Sequence, residues 1–577
     1  MSSSITNAFP GTFDYHSRWK RELADGWIMF KEQWWGPAGK ARLHEVWLRK
    51  PESRIIQLET IPGPFLSLTS LHCTKGRILV RNEYTQTHAR LTAAFDAGNS
   101  GVILTGSPGI GKSYFIIYIL LARMANEQIT IITFSDRESY LFDKEGVWSM
   151  HSDNLKSWED IRTSIRPWSL IDADMDKLEP AASLTSAPLV FSVQAVSPDP
   201  KRYRLWKKGW GGIKWYMNPW TEAERLQLHD VWKSEYTIDD IVELSETAGP
   251  CIRDLVAYLT HPRDFVGEIW EVFWGIRNIS DLVQLFYQTT QSSESSHEVF
   301  ILHRNGDGVF HDSDEPVIDC KSLFVLDLLS TKFANTDLTE VRYLYTTFDS
   351  APESNLLASW MFRKLAIHCT SLPRLRNPHI LLGLHLMKQD DGNSSRFTHD
   401  PRSSTEALVV LPTAARAYIR RPERPLSRNV SRSGMRNTLP LKQRAITPFM
   451  DDDVDTIDLS APHYFIPQDK KHFFDAFFFE QSSTGPGGSD ATMVLWILQT
   501  LSVRRPRSFE YSFETIRSLQ QRVVNEGMKS PDIKYVLLAP QNRGRKVSWT
   551  LPQGWEAVSG EVYIQYLDLQ WFLANGQ

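Results

Sequence analysis

The chain has 577 residues, 42% of them hydrophobic and 23% charged, with a formal net charge of −4 at pH 7. This is the composition of an ordinary globular protein, with length for about three to four domains. It excludes a globally basic nucleic-acid binder, so any basic surface must be local.

Four cysteines, Cys73, Cys251, Cys320 and Cys369, lie far apart with no CxxC pair. That spacing argues against a disulfide framework or a zinc ribbon and for a reducing compartment. The first residues, "MSSSITNAFPGTFDYHSRWKREL", contain no apolar core of a secretory signal. No window approaches the roughly 18–20 apolar residues that span a bilayer. The expectation is a soluble, intracellular protein of the cytoplasm or nucleus, with no membrane partner.

In chain order, residues 1–80 are rich in Trp and charge and read as an N-terminal accessory segment whose tryptophans pack into a core. From 81 the pattern changes. "RILVRNEYTQTHARLTAAF" predicts a short strand or turn and then an amphipathic helix. "GVIL" (101–104), "ITIITF" (129–134), "RPWSLIDAD" ending its strand at Asp172, and "PLVFSVQAVS" (188–197) predict strands, with the helix "SYFIIYILLARMA" after the first. Strands alternating with helices imply βαβ units and a parallel sheet. Residues 81–218 are therefore read as an α/β core. Residues 219–345 turn helical, beginning with Thr221 and Glu224 at capping-box spacing.

Residues 388–458 are rich in Gly, Ser, Pro and Arg. Arginine recurs at Arg416, Arg420, Arg424, Arg428, Arg432 and Arg436, but Pro422, Pro425 and Gly434 interrupt any helix. The expectation is a disordered insertion whose arginines are solvated, with phosphate contacts to DNA as the alternative. An α/β pattern returns after 461 with "FFDAFFFE", "TMVLWILQT", the helical "FETIRSLQQRVV" and "IKYVLLAP".

The chemistry is concentrated in "GSPGIGKS": Gly106, Ser107, Pro108, Gly109, Ile110, Gly111, Lys112 and Ser113 match G-x-x-x-x-G-K-[ST]. Glycines here free the backbone to aim successive N–H groups at one phosphate. The following helix presents its N-terminus to the same anion. Lys112 supplies a mobile positive charge, and Ser113 a hydroxyl for Mg²⁺. Asp172, at the end of a neighbouring strand, is the candidate second metal-side group. The next position is Ala173, where many such enzymes carry a catalytic carboxylate, and Asp174 lies one step beyond. Ser197, at another strand end, and Arg253, at a helix start after a Gly-Pro turn, are placed to sense a terminal phosphate. The chain lacks an Asn/Thr-Lys-x-Asp motif, which favours ATP over GTP.

Five of these stretches, "RILVRNEYTQTHARL…GVILTGSPGIGKSYFIIYILLAR", "LIDAD", "VQAVSPDPKRYRLWKK", "WYMNPWTEAE" and "AGPCIRDLV", resemble in order the NTPase module of Crinkler-type and retrotransposon-hot-spot-type proteins. The resemblance covers about residues 78–260. It implies an AAA-like P-loop NTPase with a helical or winged-helix lid, Asp172 as the Walker B acid, and Ser197 and Arg253 as sensors.

The same resemblance implies a C-terminal α/β restriction-endonuclease-like domain over 346–577. "LASWMFRKLAIH" resembles its opening helix. Asp475 stands at the metal-acid position, and Gln499 in the next strand. This chain departs from the pattern at Arg363, where a Glu is usual, and at Leu501, where a polar group is usual. Asp475 and Glu480 sit at an odd strand spacing, on opposite faces.

The favoured expectation is an ATP- and Mg²⁺-dependent switch joined to a catalytically degenerate nuclease-like domain. The alternatives are an NTPase-gated, Mg²⁺-dependent DNA nuclease and, less favoured, a small-molecule kinase. Oligomer formation is left open, with Arg253 acting within one chain or across a subunit interface.

Overall fold

Short apolar runs bounded by turn signals become the strands of one mixed sheet in residues 20–216. The structure is a computed structural model; it describes residues 19–22, 25–49, 54–62, 76–134, 138–151, 166–172, 182–185, 190–232, 236–291, 294–304, 316–333, 336, 340–341, 343–345, 356–371, 381–390, 393–400, 444–468, 472–482, 492–501, 509–541, 546–552 and 560–567. The chain divides into two units, 1–332 and 333–577.

In the first unit the strands are β1 (Lys20–Arg21), β2 (Ile55–Gln57), β3 (Arg77–Leu79), β4 (Gly101–Thr105), β5 (Thr130–Thr133), β6 (Glu138–Phe142), β7 (Val147–His151), β8 (Trp168–Asp172), β9 (Phe191–Ala195) and β10 (Ile213–Tyr216). Eight of them form a sheet in the order β1-β7-β6-β5-β8-β9-β4-β10. The five from β5 to β10 run parallel. β6, β7 and β1 extend that sheet antiparallel.

Parallel strands need crossovers that cover both faces, so their residues are buried on both sides. Every residue of β4, β5, β8 and β9 is indeed buried. One crossover is the helix that follows the glycine loop. The helices before and around it are α1 (Asp25–Trp34), α2 (Pro37–Trp47), α3 (Asn82–Asp96) and α4 (Lys112–Ala125).

α4 is apolar all round, and all its residues but Ser113 are buried. A helix of that kind must be covered on every face. Trp27, Phe30 and Trp34 of α1 and Leu43 and Val46 of α2 join its core cluster. Gly36 N–H also donates to the Met124 carbonyl at 3.0 Å. The Trp-rich N-terminal segment therefore supplies α4 with its second hydrophobic wall, and β1 adds an edge strand to the sheet.

Beyond β10 come α5 (Glu222–Leu226), α6 (Ile238–Ala248), α7 (Ile252–Thr260), α8 (Pro262–Gly275), α9 (Ile279–Gln288) and α10 (Glu294–Val299). Thr221 and Glu224 form the expected capping box, and Thr237 with Asp240 forms another. An antiparallel hairpin, β11 (Phe300–Arg304) with β12 (Pro316–Cys320), then precedes α11 (Leu323–Lys332).

In the second unit the helix α12 (Leu356–Ser371) precedes the strands. Its strands are β13 (Leu381–Leu386), β14 (Lys388–Asp390), β15 (Asn393–His399), β16 (Ala445–Phe449), β17 (His463–Pro467), β18 (Ala476–Ser482), β19 (Thr492–Thr500), β20 (Asp532–Pro540), β21 (Val547–Thr550) and β22 (Gly560–Leu567), with α13 (Phe509–Asn525) between β19 and β20. Seven strands form a sheet in the order β13-β22-β20-β19-β18-β17-β16. β18 is antiparallel to both its neighbours, while β19, β20 and β22 run parallel.

The reading of 388–458 as a disordered insertion is corrected at both ends. β14 pairs with β15, and β15 pairs in turn with β21. β16 pairs with β17, and Phe449 is 1% exposed in the core. These short strands are held by partners more than a hundred residues away or by one buried aromatic, and local composition carries neither signal. The arginines from 416 to 436 lie outside the described residues, as do Cys73, Ala173 and Asp174. Cys251, Cys320 and Cys369 are buried free thiols. Among the described residues no helix is long and apolar enough to cross a membrane.

Candidate functional site

The loop between β4 and α4 turns on three glycines in conformations that L side chains resist: Gly106 at φ +143°, Gly109 at +77° and Gly111 at +98°. Each is also packed tightly. A Cβ on Gly106 would come within 2.8 Å of the Met217 carbonyl, one on Gly109 within 2.6 Å of Arg253 Cβ, and one on Gly111 within 2.4 Å of the Tyr84 hydroxyl. Ile110 is fully buried and anchors the loop in the core. Lys112 curls back, and its Nζ donates to the Gly106 carbonyl at 3.2 Å and the Ser107 carbonyl at 3.0 Å. Its charge therefore lies within the loop. Ser113 is half-buried at the head of α4.

Register brings the neighbouring candidates to the same edge of the sheet. Leu104 of β4 pairs with Ala195 of β9, and Ala195 pairs with Asp172 of β8. Asp172 thus ends its strand level with the residue two before Gly106, and Ser197 lies two residues past Ala195. Both side chains are buried, Asp172 7% exposed and Ser197 6%. Ser197 Oγ has no hydrogen-bond partner among the described residues. A buried hydroxyl in that state is costly unless a ligand or water completes it.

Arg253 arrives from the helical region. It begins the first turn of α7, its N–H donates to the Gly109 carbonyl at 3.4 Å, and its side chain is exposed. Together with Ser107 and Pro108 it lines a cavity of about 250 Å³. On that side β11 closes in, since Leu302 N–H donates to Ser107 Oγ at 2.7 Å.

A buried network that sequence reasoning missed holds the back of the loop. Arg81, 1% exposed, donates to the carbonyls of Ile110 (3.0 Å), Asn218 (3.1 Å) and Pro219 (2.8 Å) and pairs with Glu224 at 3.0 Å. Trp220 Nε1 donates to the same Ile110 carbonyl at 2.9 Å, and the Tyr84 hydroxyl donates to Gly111 O at 2.7 Å. Burial pushes the Tyr84 hydroxyl pKa upward, which keeps it a donor. Glu83 pairs with Arg304 of β11 at 3.1 Å. A small pocket beside this network is lined by Arg77, Ile78, Leu79, Tyr84, Tyr114, Trp220, Leu228 and Ile252.

The second unit's candidates are arranged differently. Asp475 lies just before β18 and is fully engaged. One carboxylate oxygen is 2.8 Å from Arg363 Nε on α12; the other accepts from Thr500 N–H at 2.6 Å and Thr500 Oγ1 at 2.5 Å. Glu480 is paired elsewhere, with Arg444 at 2.5 Å. Gln499 is buried in β19, and its Oε1 has no hydrogen-bond partner among the described residues. Among those residues no group of three His, Cys, Asp or Glu side chains converges.

No protein-family model matches the chain, and no curated protein matches it.

Proposed function

We propose that the first unit is an AAA-like, P-loop ATP-binding module that acts as a nucleotide-dependent switch for a nuclease-like second unit that does not cleave. The observation that carries this reading is the loop 106–113. Three glycines in left-handed or extended-positive conformations curl it between a buried parallel strand and a buried helix, around one lysine charge.

The residues fit a triphosphate. The Gly106, Gly109 and Gly111 positions leave no room for side chains, so backbone N–H groups can approach an anion. Lys112 would exchange its two carbonyl acceptors for phosphate oxygens. Ser113 and Asp172 would hold Mg²⁺, which takes most of its remaining ligands from phosphate and water. Bound there, the ion neutralises phosphate charge. Ser197 would donate to the terminal phosphate, giving its buried hydroxyl a partner, and Arg253 would approach from the lid. The aromatic pocket on Tyr84, Tyr114 and Trp220 offers π-faces for a base. At about 20 Å³ it must widen to admit one.

The strand order supports the AAA-like reading, because β9 is intercalated between the loop strand β4 and the Asp172 strand β8. In the second unit, the succession α12, β18, β19, α13, β20 follows the order the nuclease resemblance implies. Its Asp475, however, is neutralised by Arg363 and capped by Thr500. A nuclease holds Mg²⁺ with about two clustered carboxylates; here a cation occupies the place of the second.

The test measures Mg·ATP binding, phosphate release and Mg²⁺-dependent DNA cleavage on wild type, Lys112→Ala and Asp475→Ala. The expected result is ATP binding lost in Lys112→Ala, slow phosphate release and no cleavage by any of the three. ATP binding by Lys112→Ala as tight as wild type overturns the phosphate-loop assignment. Wild-type cleavage that is lost in Asp475→Ala overturns the degenerate-nuclease assignment.

A further inference from the structure

Lys321 follows β12 and is 3% exposed, yet its basic side chain sits between two carboxylates. Its Nζ lies 3.1 Å from Asp254 Oδ2 and 2.8 Å from Glu298 Oε2. Burial alone would lower its pKa, but the two carboxylates outweigh burial and raise it. A buried ion triad rarely stabilises a fold more than apolar residues of the same volume would. Its presence calls for a positional reason.

The geometry supplies one. Asp254 is the residue after Arg253 in the first turn of α7, so the Lys321 side chain grips that turn. The Lys321 backbone grips the turn before it: a Cβ on Gly249, at φ +84°, would come within 2.4 Å of the Lys321 carbonyl oxygen. Lys321 N–H donates in turn to Val299 O at 2.9 Å, tying both grips to the end of α10. Arg253 lies between the two grips, with its own N–H on Gly109. Lys321, Asp254 and Glu298 line the same cavity as Ser107, Pro108 and Arg253.

We infer that Lys321 is a positioning residue for Arg253, fixing the first turn of α7 so that the guanidinium is delivered to the terminal phosphate of a bound nucleotide. This rests on the nucleotide-binding reading above. Asp254 transmits the hold, and Glu298 balances the second half of the lysine's contacts. The inference concerns ATP in particular, because ADP lacks the phosphate that Arg253 would reach.

The experiment titrates Mg·ATP and Mg·ADP into the full-length chain by calorimetry. The variants are Lys321→Met, Arg253→Ala, the double variant, and Asp254→Asn, with thermal melting to check folding. Arg253→Ala is expected to weaken ATP about tenfold, the size of one charge-assisted hydrogen bond, and ADP less than about twofold. Lys321→Met is expected to do the same, and the double variant to bind ATP as Arg253→Ala does, since the lysine acts through the arginine.

Asp254→Asn keeps the Lys321–Glu298 pair and should shift ATP affinity in the same direction; it carries the test if Lys321→Met does not fold. Equal losses for ATP and ADP, or a further loss of ATP affinity when the Lys321 or Asp254 change is added to Arg253→Ala, would overturn the inference, as would no change at all. Those results leave Lys112-dependent ATP binding standing. Wild type that binds neither nucleotide overturns the phosphate-loop reading and this inference with it.

Discussion

Arg81→Met is the sharpest test of how the loop is held. The guanidinium is 1% exposed and the Glu224 carboxylate 7%, so the pair is desolvated. Methionine keeps much of the side-chain volume over Tyr84 and Trp220, whose rings lie 5.6 and 5.0 Å from the guanidinium carbon. What is lost is the charge and the donors to Ile110, Asn218 and Pro219. Ile110 O keeps Trp220 Nε1, and Glu224 keeps the Thr221 N–H at 2.9 Å, so the main penalty is a stranded carboxylate. Breaking a buried pair from one side costs about 3–5 kcal/mol.

Hydrogen exchange on peptides within Lys112–Ala125 reads this locally, without requiring the two units to unfold together. The amides of α4 should exchange roughly 10²- to 4 × 10³-fold faster in the variant. Adding Glu224→Gln removes the stranded charge, and the double variant should recover at least about 1 kcal/mol. A change below about 1 kcal/mol in Arg81→Met, or a double variant no better than the single, would refute the buried-pair argument.

How much of this could be read from the sequence depended on range. The loop was legible because its constraints are local: three glycines, a lysine and a serine within eight positions, with a strand before and a helix after. Asp172 and Ser197 were legible as strand ends, though only the pairing of Ala195 with both Leu104 and Asp172 sets them level. The residues that clamp the loop were not legible in that role. Arg81 and Glu224 are 143 positions apart, and Ser107 meets Leu302 across 195. Nothing in "LVRNEY" marks its arginine as buried beside an exposed asparagine. The β11–β12 hairpin was absorbed into a helical reading because its strands are short and their pairing lies across residues 305–315. In the second unit the Arg363 departure was visible in sequence, but its meaning required seeing that arginine on Asp475. β14, β15 and β16 were hidden because short strands without apolar alternation gain their order from partners rather than from pattern.

Gly109→Ala should disrupt the contact between the loop and α7, because the added Cβ would sit 2.6 Å from Arg253 Cβ at a backbone φ of +77°. The strain of that conformation costs about 1–2 kcal/mol before the clash is counted, so the measured melting temperature should fall and ATP affinity with it; wild-type values for both would show that α7 does not rest on the loop. The remaining prediction concerns acid. His88 of α3 lies edge-on to Tyr118 and Trp168, with ring centres 5.8 and 6.4 Å away. Burial first, and then the charge of Arg123, lowers its pKa to about 4 from the usual 6.5. The folded chain therefore takes up this proton less readily than the unfolded one, so its stability is full above about pH 6.5 and falls as pH drops toward 4. The span corresponds to about 3 kcal/mol. His88→Phe, which keeps the ring contacts and cannot charge, should flatten that part of the profile of melting temperature against pH. A variant whose profile keeps the wild-type slope between pH 6.5 and 4 would place the acid-sensitive group elsewhere.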